Sequence, residues 1–424
     1  VRLLYRLALY AAVPLISCLY LWRGLTQRGY WRGFTGRFGA GAARPPGGVW
    51  LHAVSVGEVQ ACAPLIRALR AAHPQLCVTV TTFTPTGAER ARALFGAVAD
   101  VRYLPFDLPS AVRRFLDRVQ PRLAVVLETE LWPNLYSECA RRGVPLVLAN
   151  ARLSQRSLAR YLRLGSLFRD TLAHAAQVVA QAQEDAQRFR TLGSDPARTH
   201  VAGNIKFDFE LPADIAARGA LLRAQYAQQR PVWIAGSTHG GGEEAAVLAA
   251  HRQVRAKDPR ALLVLAPRHP PRFAQVADAL AAERMTYVRR TQAQSSEECA
   301  VLLLDTLGEL LDFYAAADVA FVGGSLVPIG GHNLLEPAAL GVPILTGPYN
   351  ANGAEIAALL QASGAARQVT DAAALATAVG ALFADPQLRA RMGVAGSAVV
   401  AANRGAVQKL LALLEPFLAG PADG

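Results

Sequence analysis

The 424-residue chain lacks most of the short signatures by which metal and dinucleotide enzymes are read from sequence. No Asp-x-Asp occurs, so the usual cue for a divalent ion bridging a diphosphate is missing. The five cysteines, Cys18, Cys62, Cys77, Cys139 and Cys299, are isolated and odd in number. They speak against a disulfide framework or a cysteine zinc site, and fit core packing in a reducing compartment. The first half has no G-x-G-x-x-G, so ordinary dinucleotide binding is not expected there. Zinc-finger spacing and an RNP-like aromatic strand are both missing, and the arginines are scattered, so nucleic acid is not an expected partner. Acidic residues are the scarcer charge, 32 against 44 basic, and the net charge of +12 favours anionic lipid or a phosphorylated substrate.

Hydrophobic residues make up 52% of the chain, and its length is enough for two or three domains. Leu7–Trp22 carries no charge, holds Tyr10, Tyr20 and Trp22, and is bracketed by Arg2, Arg6, Arg23 and Arg28. Its sixteen residues reach about 24 Å as a helix, short of a ~30 Å hydrocarbon core, and Pro14 is expected to interrupt it. A signal peptide and a buried core helix are the competing readings. Bulky Leu-Trp-Arg stands where a small-x-small cleavage site would be. The expectation is a membrane anchor, spanning or lying in the interface, with the Arg23–Arg37 run against anionic lipid on the cytoplasmic side. Because both sheets begin after Gly47, deletion up to about Arg32 is expected to leave a soluble body.

From there, apolar runs of four to seven residues alternate with helical stretches, as in parallel sheets covered on both faces. The runs Val49–Val54, Cys77–Phe83, Val101–Leu104, Leu123–Leu127, Val144–Ala149 and Val178–Ala180 make one set. Val232–Ala235, Leu262–Ala266, Thr286–Val288, Val301–Leu304, Val319–Val322 and Val342–Leu345 make the other. The predicted fold is α/β: two doubly wound, Rossmann-like parallel-sheet domains with a cleft between them, plus the N-terminal helix. The expected segments are an anchor and basic segment over 1–40, a first domain over 47–208, a linker over 209–230, a second domain over 231–404, and a crossover helix with tail over 405–424.

The densest signal is Val319–Pro348, a strand, a loop with glycine pairs at Gly323/Gly324 and Gly330/Gly331, a short helix from about Asn333 to Gly341, and another strand. Glycines let the backbone approach an anion, and a helix start offers free N–H groups to a phosphate. Glu336 in the first helical turn either offsets the helix dipole or takes ribose hydroxyls. Ser55-Val56-Gly57-Glu58 reads both as a capping box and as a general base at a strand end. Glu128 and Glu130, two apart after a strand, are expected to face one side. Lys206 lies in Gly203–Asp208, where the first half closes. Arg268, after the strand ending near Pro267, is placed to clamp a phosphate. His239 and His269 lack a third ligand at recognisable spacing, so no metal is expected. Asp305–Leu310 opens a helix, and the backbone of Leu307–Glu309 is placed to meet a base.

Taken in order, His52–Glu58, Glu128–Leu135, Gly203–Asp208, Pro267–His269, Asp305–Leu310 and Gly330–Pro337 resemble the motifs of Kdo transferases. These are GT-B glycosyltransferases that move 3-deoxy-D-manno-octulosonic acid (Kdo) from CMP-Kdo to a lipid A precursor in lipopolysaccharide biosynthesis. The resemblance runs from the anchor to the last helix. It implies that Glu58 is the catalytic base and that Glu128 and Lys206 stabilise the transition state. It places CMP on Pro267 and Arg268, on Leu307, Gly308 and Glu309, and on Asn333, Leu334, Leu335 and Glu336. It also implies inner-membrane lipid as a partner, a location on the cytoplasmic side of that membrane, an inverting mechanism, and no cofactor. Gly36 stands where many relatives carry glutamate, and Tyr349 where many have histidine. A UDP-sugar epimerase of the same architecture and a non-catalytic membrane-surface module are the alternatives.

Overall fold

The structure, a computed structural model, describes residues 1–292 and 299–419. It divides into two compact units: Val1–Glu210 with Asn403–Gly424, and Leu211–Ala402. Among the described residues each unit is built on one seven-stranded sheet, and every strand pairing is parallel.

In the first unit the strands are β1 (Val49–His52), β2 (Val78–Thr82), β3 (Ala99–Tyr103), β4 (Leu123–Leu127), β5 (Leu146–Ala151), β6 (Gln177–Ala180) and β7 (Thr199–Val201). Their order is β3-β2-β1-β4-β5-β6-β7. Successive side chains leave a strand on opposite faces. Accordingly Leu123, Val125 and Leu127 enter one core with Leu51 and Val80, while Ala124 and Val126 enter another with Trp50 and Phe115. Burial on both faces is why these strands read as unbroken apolar runs. The closing helix Ala406–Leu418 supplies Val407, Leu410, Leu414 and Leu418 to the first of these cores. Asp208 fixes its start, accepting from Gly405 N at 2.6 Å and Val407 N at 2.5 Å.

The second unit holds β8 (Val232–Thr238), β9 (Leu262–Pro267), β10 (Tyr287–Arg289), β11 (Val301–Leu303), β12 (Val319–Val322), β13 (Ile344–Thr346) and β14 (Ala366–Gln368), ordered β10-β11-β9-β8-β12-β13-β14. Helix Ile215–Tyr226 belongs to this unit, where Arg223 bonds Asp318 at 3.1 Å and Arg218 bonds Asp312. Strands β7 and β14 have no counterpart in the apolar pattern. Each is a three-residue edge strand with an exposed end, so too little of it is buried to leave a run.

Three sequence expectations change. The N-terminal helix runs unbroken from Arg2 to Thr26 through Pro14, so its 25 residues reach about 37 Å. By length and composition it can cross a membrane, with Leu3, Leu4, Leu7, Leu15, Trp22 and Leu25 all exposed. It is also tied to the first unit: Tyr5 donates to Asp107 at 2.8 Å, Arg6 to Asn134 at 2.9 Å and Tyr10 to Ser110 at 3.2 Å. Tyr20 caps a cage in which the Arg37 guanidinium, 1% exposed, lies 4.4–5.9 Å from the rings of Tyr20, Phe83, Tyr103 and Phe106. The first unit therefore packs on residues that precede its sheet, and the truncation expected to be harmless removes part of that packing. Finally, Cys62, Cys139 and Cys299 are buried as core residues, but Cys18 and Cys77 are exposed.

Candidate functional site

In an open parallel sheet, ligands sit beyond the carboxyl ends of strands where the strand order reverses. In the first unit that point lies between β1 and β4, and the motifs of Glu58 and Glu128 follow those two strands. Ser55 precedes helix Val56–Ala61, but the reciprocal capping box does not form. The Ser55 hydroxyl donates to Glu58 Oε1 at 3.0 Å, and Glu58 Oε2 accepts from Val54 N at 2.8 Å, one residue before the box would place it. Glu58 is held by two donors while remaining partly open to solvent. Burial, and then the charge of Glu128, push its pKa up to about 7, against the lowering effect of Val54 and Ser55.

Glu128 stands just past β4 with φ 59, a left-handed conformation uncommon outside glycine. That twist ends the extended alternation on which the pairing of Glu128 with Glu130 was expected. The two carboxylates go to different partners. Glu128 Oε1 pairs with Lys206 Nζ at 2.7 Å, and Glu130 Oε2 accepts from Trp132 Nε1 at 2.9 Å. Lys206 is presented by the turn Ile205–Asp208, which is pinned locally. Asn204 Oδ1 accepts from Lys206 N at 3.0 Å, Asn204 Nδ2 donates to Gln181 at 3.0 Å, and Asn150 Oδ1 accepts from Ile205 N at 3.1 Å. Thus the structure brings Glu58, Glu128 and Lys206 together within one unit: a carboxylate poised near neutrality beside an ion pair.

In the second unit the order reverses between β8 and β12. The glycine loop after β12 differs from expectation. Glu243, 0% exposed, fills the anion-binding hollow made by the backbone of that loop and of His239: the carboxylate accepts from His239 N (2.9 Å), Gly324 N (2.8 Å), Ser325 N (3.0 Å) and Leu326 N (3.0 Å). Those N–H groups are therefore not offered to a phosphate. Gly323 and Gly324 serve close approach: a Cβ on Gly323 would lie 2.7 Å from Ser237 O, and one on Gly324 2.9 Å from the His332 ring. The following helix is also shorter than expected, Leu335–Ala339, and Asn333 Oδ1 already accepts from Leu335 N at 3.0 Å. A five-residue helix carries little macrodipole.

Other predicted donor residues are accessible in different degrees. Arg268 follows β9 and, among the described residues, its guanidinium has no hydrogen bond or ion pair. Pro267, Leu334 and Leu335 are buried. Leu307 is exposed, Gly308 has φ 92, and Glu309 is engaged by Arg290 at 2.7 Å and by Thr306. Asn333 Nδ2 donates to Glu336 Oε1 at 3.0 Å. His239, His269 and His332 meet at this end of the sheet, with His239 Nε2 2.8 Å from His332 Nε2. His332 lies within the Gly330–Pro337 motif, but its pairing with His239 has no signal in the sequence, because the contact crosses 93 positions. Glu243 was missed; its only local signal is Gly240-Gly241-Gly242 running into two glutamates. Among the described residues no group of three or more His, Cys, Asp or Glu is placed to hold a metal ion. Gly36 has open space where a side chain would stand, so glutamate fits there, and Tyr349 is 46% exposed.

Two Rossmann-like units with their polar clusters at the strand-order reversals define the GT-B class of glycosyltransferase fold. Solved structures share it: UDP-GlcNAc 2-epimerase from Neisseria meningitidis is 14% identical over 87% of this chain and 99% of that one, with TM-score 0.58. A glycosyltransferase from Rickettsia africae is 12% identical over 88% and 99%, also with TM-score 0.58. At those identities the likeness concerns fold alone. Residues 32–209 match the family model described as 3-deoxy-D-manno-octulosonic-acid transferase (kdotransferase). The 3-deoxy-D-manno-octulosonic acid transferase of Haemophilus influenzae is 42% identical over 98% of this chain and 99% of its own length. The chain belongs to the Kdo transferase family, and its activity is transfer of Kdo in lipopolysaccharide biosynthesis.

Proposed function

We propose that the protein transfers Kdo from CMP-Kdo to a primary hydroxyl of the lipid A precursor, with inversion, at the cytoplasmic face of the inner membrane. Glu58 takes the proton of the attacking hydroxyl, that oxygen bonds to the anomeric carbon of Kdo, and CMP departs from the opposite face. The observation that carries this reading is the state of Glu58. Burial and Glu128 raise its pKa to about 7, near the optimum for a general base, and two donors fix its orientation. The Glu128–Lys206 pair supplies fixed charge beside it. In the second unit the Arg268 guanidinium has, among the described residues, no hydrogen bond or ion pair to give up on meeting the donor phosphate. Pro267, Leu307–Glu309 and Asn333–Glu336 take the rest of CMP. A single phosphate held by arginine does not call for the carboxylate-bound divalent ion that a diphosphate does, so no metal is part of the proposal. The exposed apolar face of helix Arg2–Thr26 and the +12 charge support attachment to an anionic membrane surface.

Incubation with CMP-Kdo and lipid A precursor, followed by mass measurement of the lipid, tests the reading. A product heavier by whole Kdo units is expected. Release of free Kdo with the lipid unchanged would contradict it.

A further inference from the structure

His239, His269 and His332 come from three separate segments, after β8, after β9 and after β12. The His239 and His332 rings lie end to end and nearly coplanar, 5° apart in plane and 5.0 Å between centroids, with their Nε2 atoms 2.8 Å apart. Only one hydrogen fits between two ring nitrogens at that distance, so one Nε2 donates, the other accepts, and the two rings cannot both carry a proton on Nε2 while the bond stands. His269 stands edge-on to His239 at 5.2 Å. The groups facing this cluster from each packed element are Arg268 and His269 beyond β9, Glu243 and Glu244 on helix Glu243–Lys257, and Arg272 on helix Arg272–Ala282. Both carboxylates are already committed. Glu243 is bound by four backbone N–H groups, and Glu244 by Arg272. Among the described residues Arg268 has no ion pair, and burial lowers all three imidazoles, helped by neighbouring imidazoles and Arg268 at His239 and His332 and by Arg268 and Arg272 at His269; His332 is lowered to about 4. A partly buried cluster that, among the described residues, sets a guanidinium without an ion pair beside imidazoles of lowered pKa is arranged to receive an anion and a proton together.

We propose that the His239–His332 pair is a proton-coupled phosphate site: binding of the cytidine nucleotide's phosphate, a diester in the donor and a monoester in the CMP that leaves, draws one proton onto the pair. The shared Nε2 hydrogen bond then becomes two N–H donors to the phosphate oxygens, beside Arg268. The added proton comes from solvent and returns to it when the nucleotide leaves, so charge balances over each turnover. Gly324 is part of the device, since any side chain there would strike the His332 ring. The inference rests on reading the second unit as the donor-binding unit, and it adds how that site senses charge.

The test is calorimetric titration of the full chain at pH 7 with CMP and, separately, with cytidine, in two buffers of unlike ionisation enthalpy. CMP binding is expected to take up about one proton and cytidine binding none. His332→Gln and His239→Asn are each expected to abolish the uptake and weaken CMP about 10- to 100-fold, the cost of a charge-assisted hydrogen bond. Cytidine affinity should stay unchanged in both, which also reports an intact fold. CMP binding to the wild type without proton uptake, or unaltered in both variants, overturns the histidine proposal and leaves the donor reading standing. Loss of cytidine binding in both variants makes the pair a structural strut and likewise overturns the proposal. A wild type that binds neither ligand refutes the donor reading, and the proposal with it.

Discussion

Glu58→Gln separates the catalytic from the structural role of this residue, because the two roles change stability in opposite directions. The Glu58 carboxyl ordinarily titrates at 4.5 and in the folded protein at about 7, so the folded state binds its proton more tightly than the unfolded chain does. A raised carboxylate value means that stability falls as pH rises from 4.5 through 7, with the full cost present above 7. The gap corresponds to up to about 3 kcal/mol, an upper figure because solvent reaches the carboxylate. Glutamine is never charged and can still accept from Val54 N–H through its carbonyl. The variant should therefore unfold later than the wild type at pH 8, by up to about 6–12 °C in the transition of the first unit, and should converge with it near pH 4.5. Transfer activity should fall at least ~10²-fold over the same range. Parallel thermal unfolding and activity series from pH 4.5 to 8.5 measure both. A variant that is less stable at every pH would show that Glu58 serves as a cap. Near-normal turnover would remove it from the chemistry.

In Lys206→Met, Glu128 loses its counter-charge and Glu58 feels the full repulsion. The acid limb of the rate profile should move to higher pH and turnover drop at least ~10-fold; an unmoved limb would detach the ion pair from the base. Arg268→Ala should weaken CMP by ~2–4 kcal/mol by calorimetry, and unchanged affinity would take Arg268 out of the donor site. Deleting residues 1–32 removes the Tyr5 bond to buried Asp107 and the Tyr20 wall of the Arg37 cage, so the first unit should lose about 2–4 kcal/mol in denaturant. Full stability of the truncated chain would show that the N-terminal helix is an appendage.

The inner strands were legible in the sequence because burial on both faces leaves unbroken apolar runs, as at Leu123–Leu127 and Val319–Val322. Edge strands β7 and β14 were not, since each has only one buried residue in three. The local bonding of Ser55 and Glu58 was half readable. The sequence spacing brings the two together, yet the choice of Val54 N–H over the cap residue's own depends on how β1 delivers the chain. What sequence could not show is non-local. Glu243 reaches across about 80 positions to fill the hollow that the glycine loop promised to a phosphate. The φ of Glu128 is likewise set by the close of a sheet, not by its neighbours in the chain, and it sends Glu128 to Lys206 and away from Glu130. Arg37 gave no sign of burial, because the four rings around it come from the N-terminal helix and from segments around β2 and β3.

The central claim is transfer of a sugar acid from a single-phosphate donor by a carboxylate base and an arginine-held phosphate, with no divalent ion in the machinery. The most direct measurement is the rate at which lipid A precursor gains Kdo from CMP-Kdo in excess EDTA, beside the same reaction with magnesium and with UDP-sugars in place of the donor. The account predicts equal transfer from CMP-Kdo with and without EDTA and none from UDP-sugars. Activity that is lost in EDTA and restored by a divalent ion would contradict it.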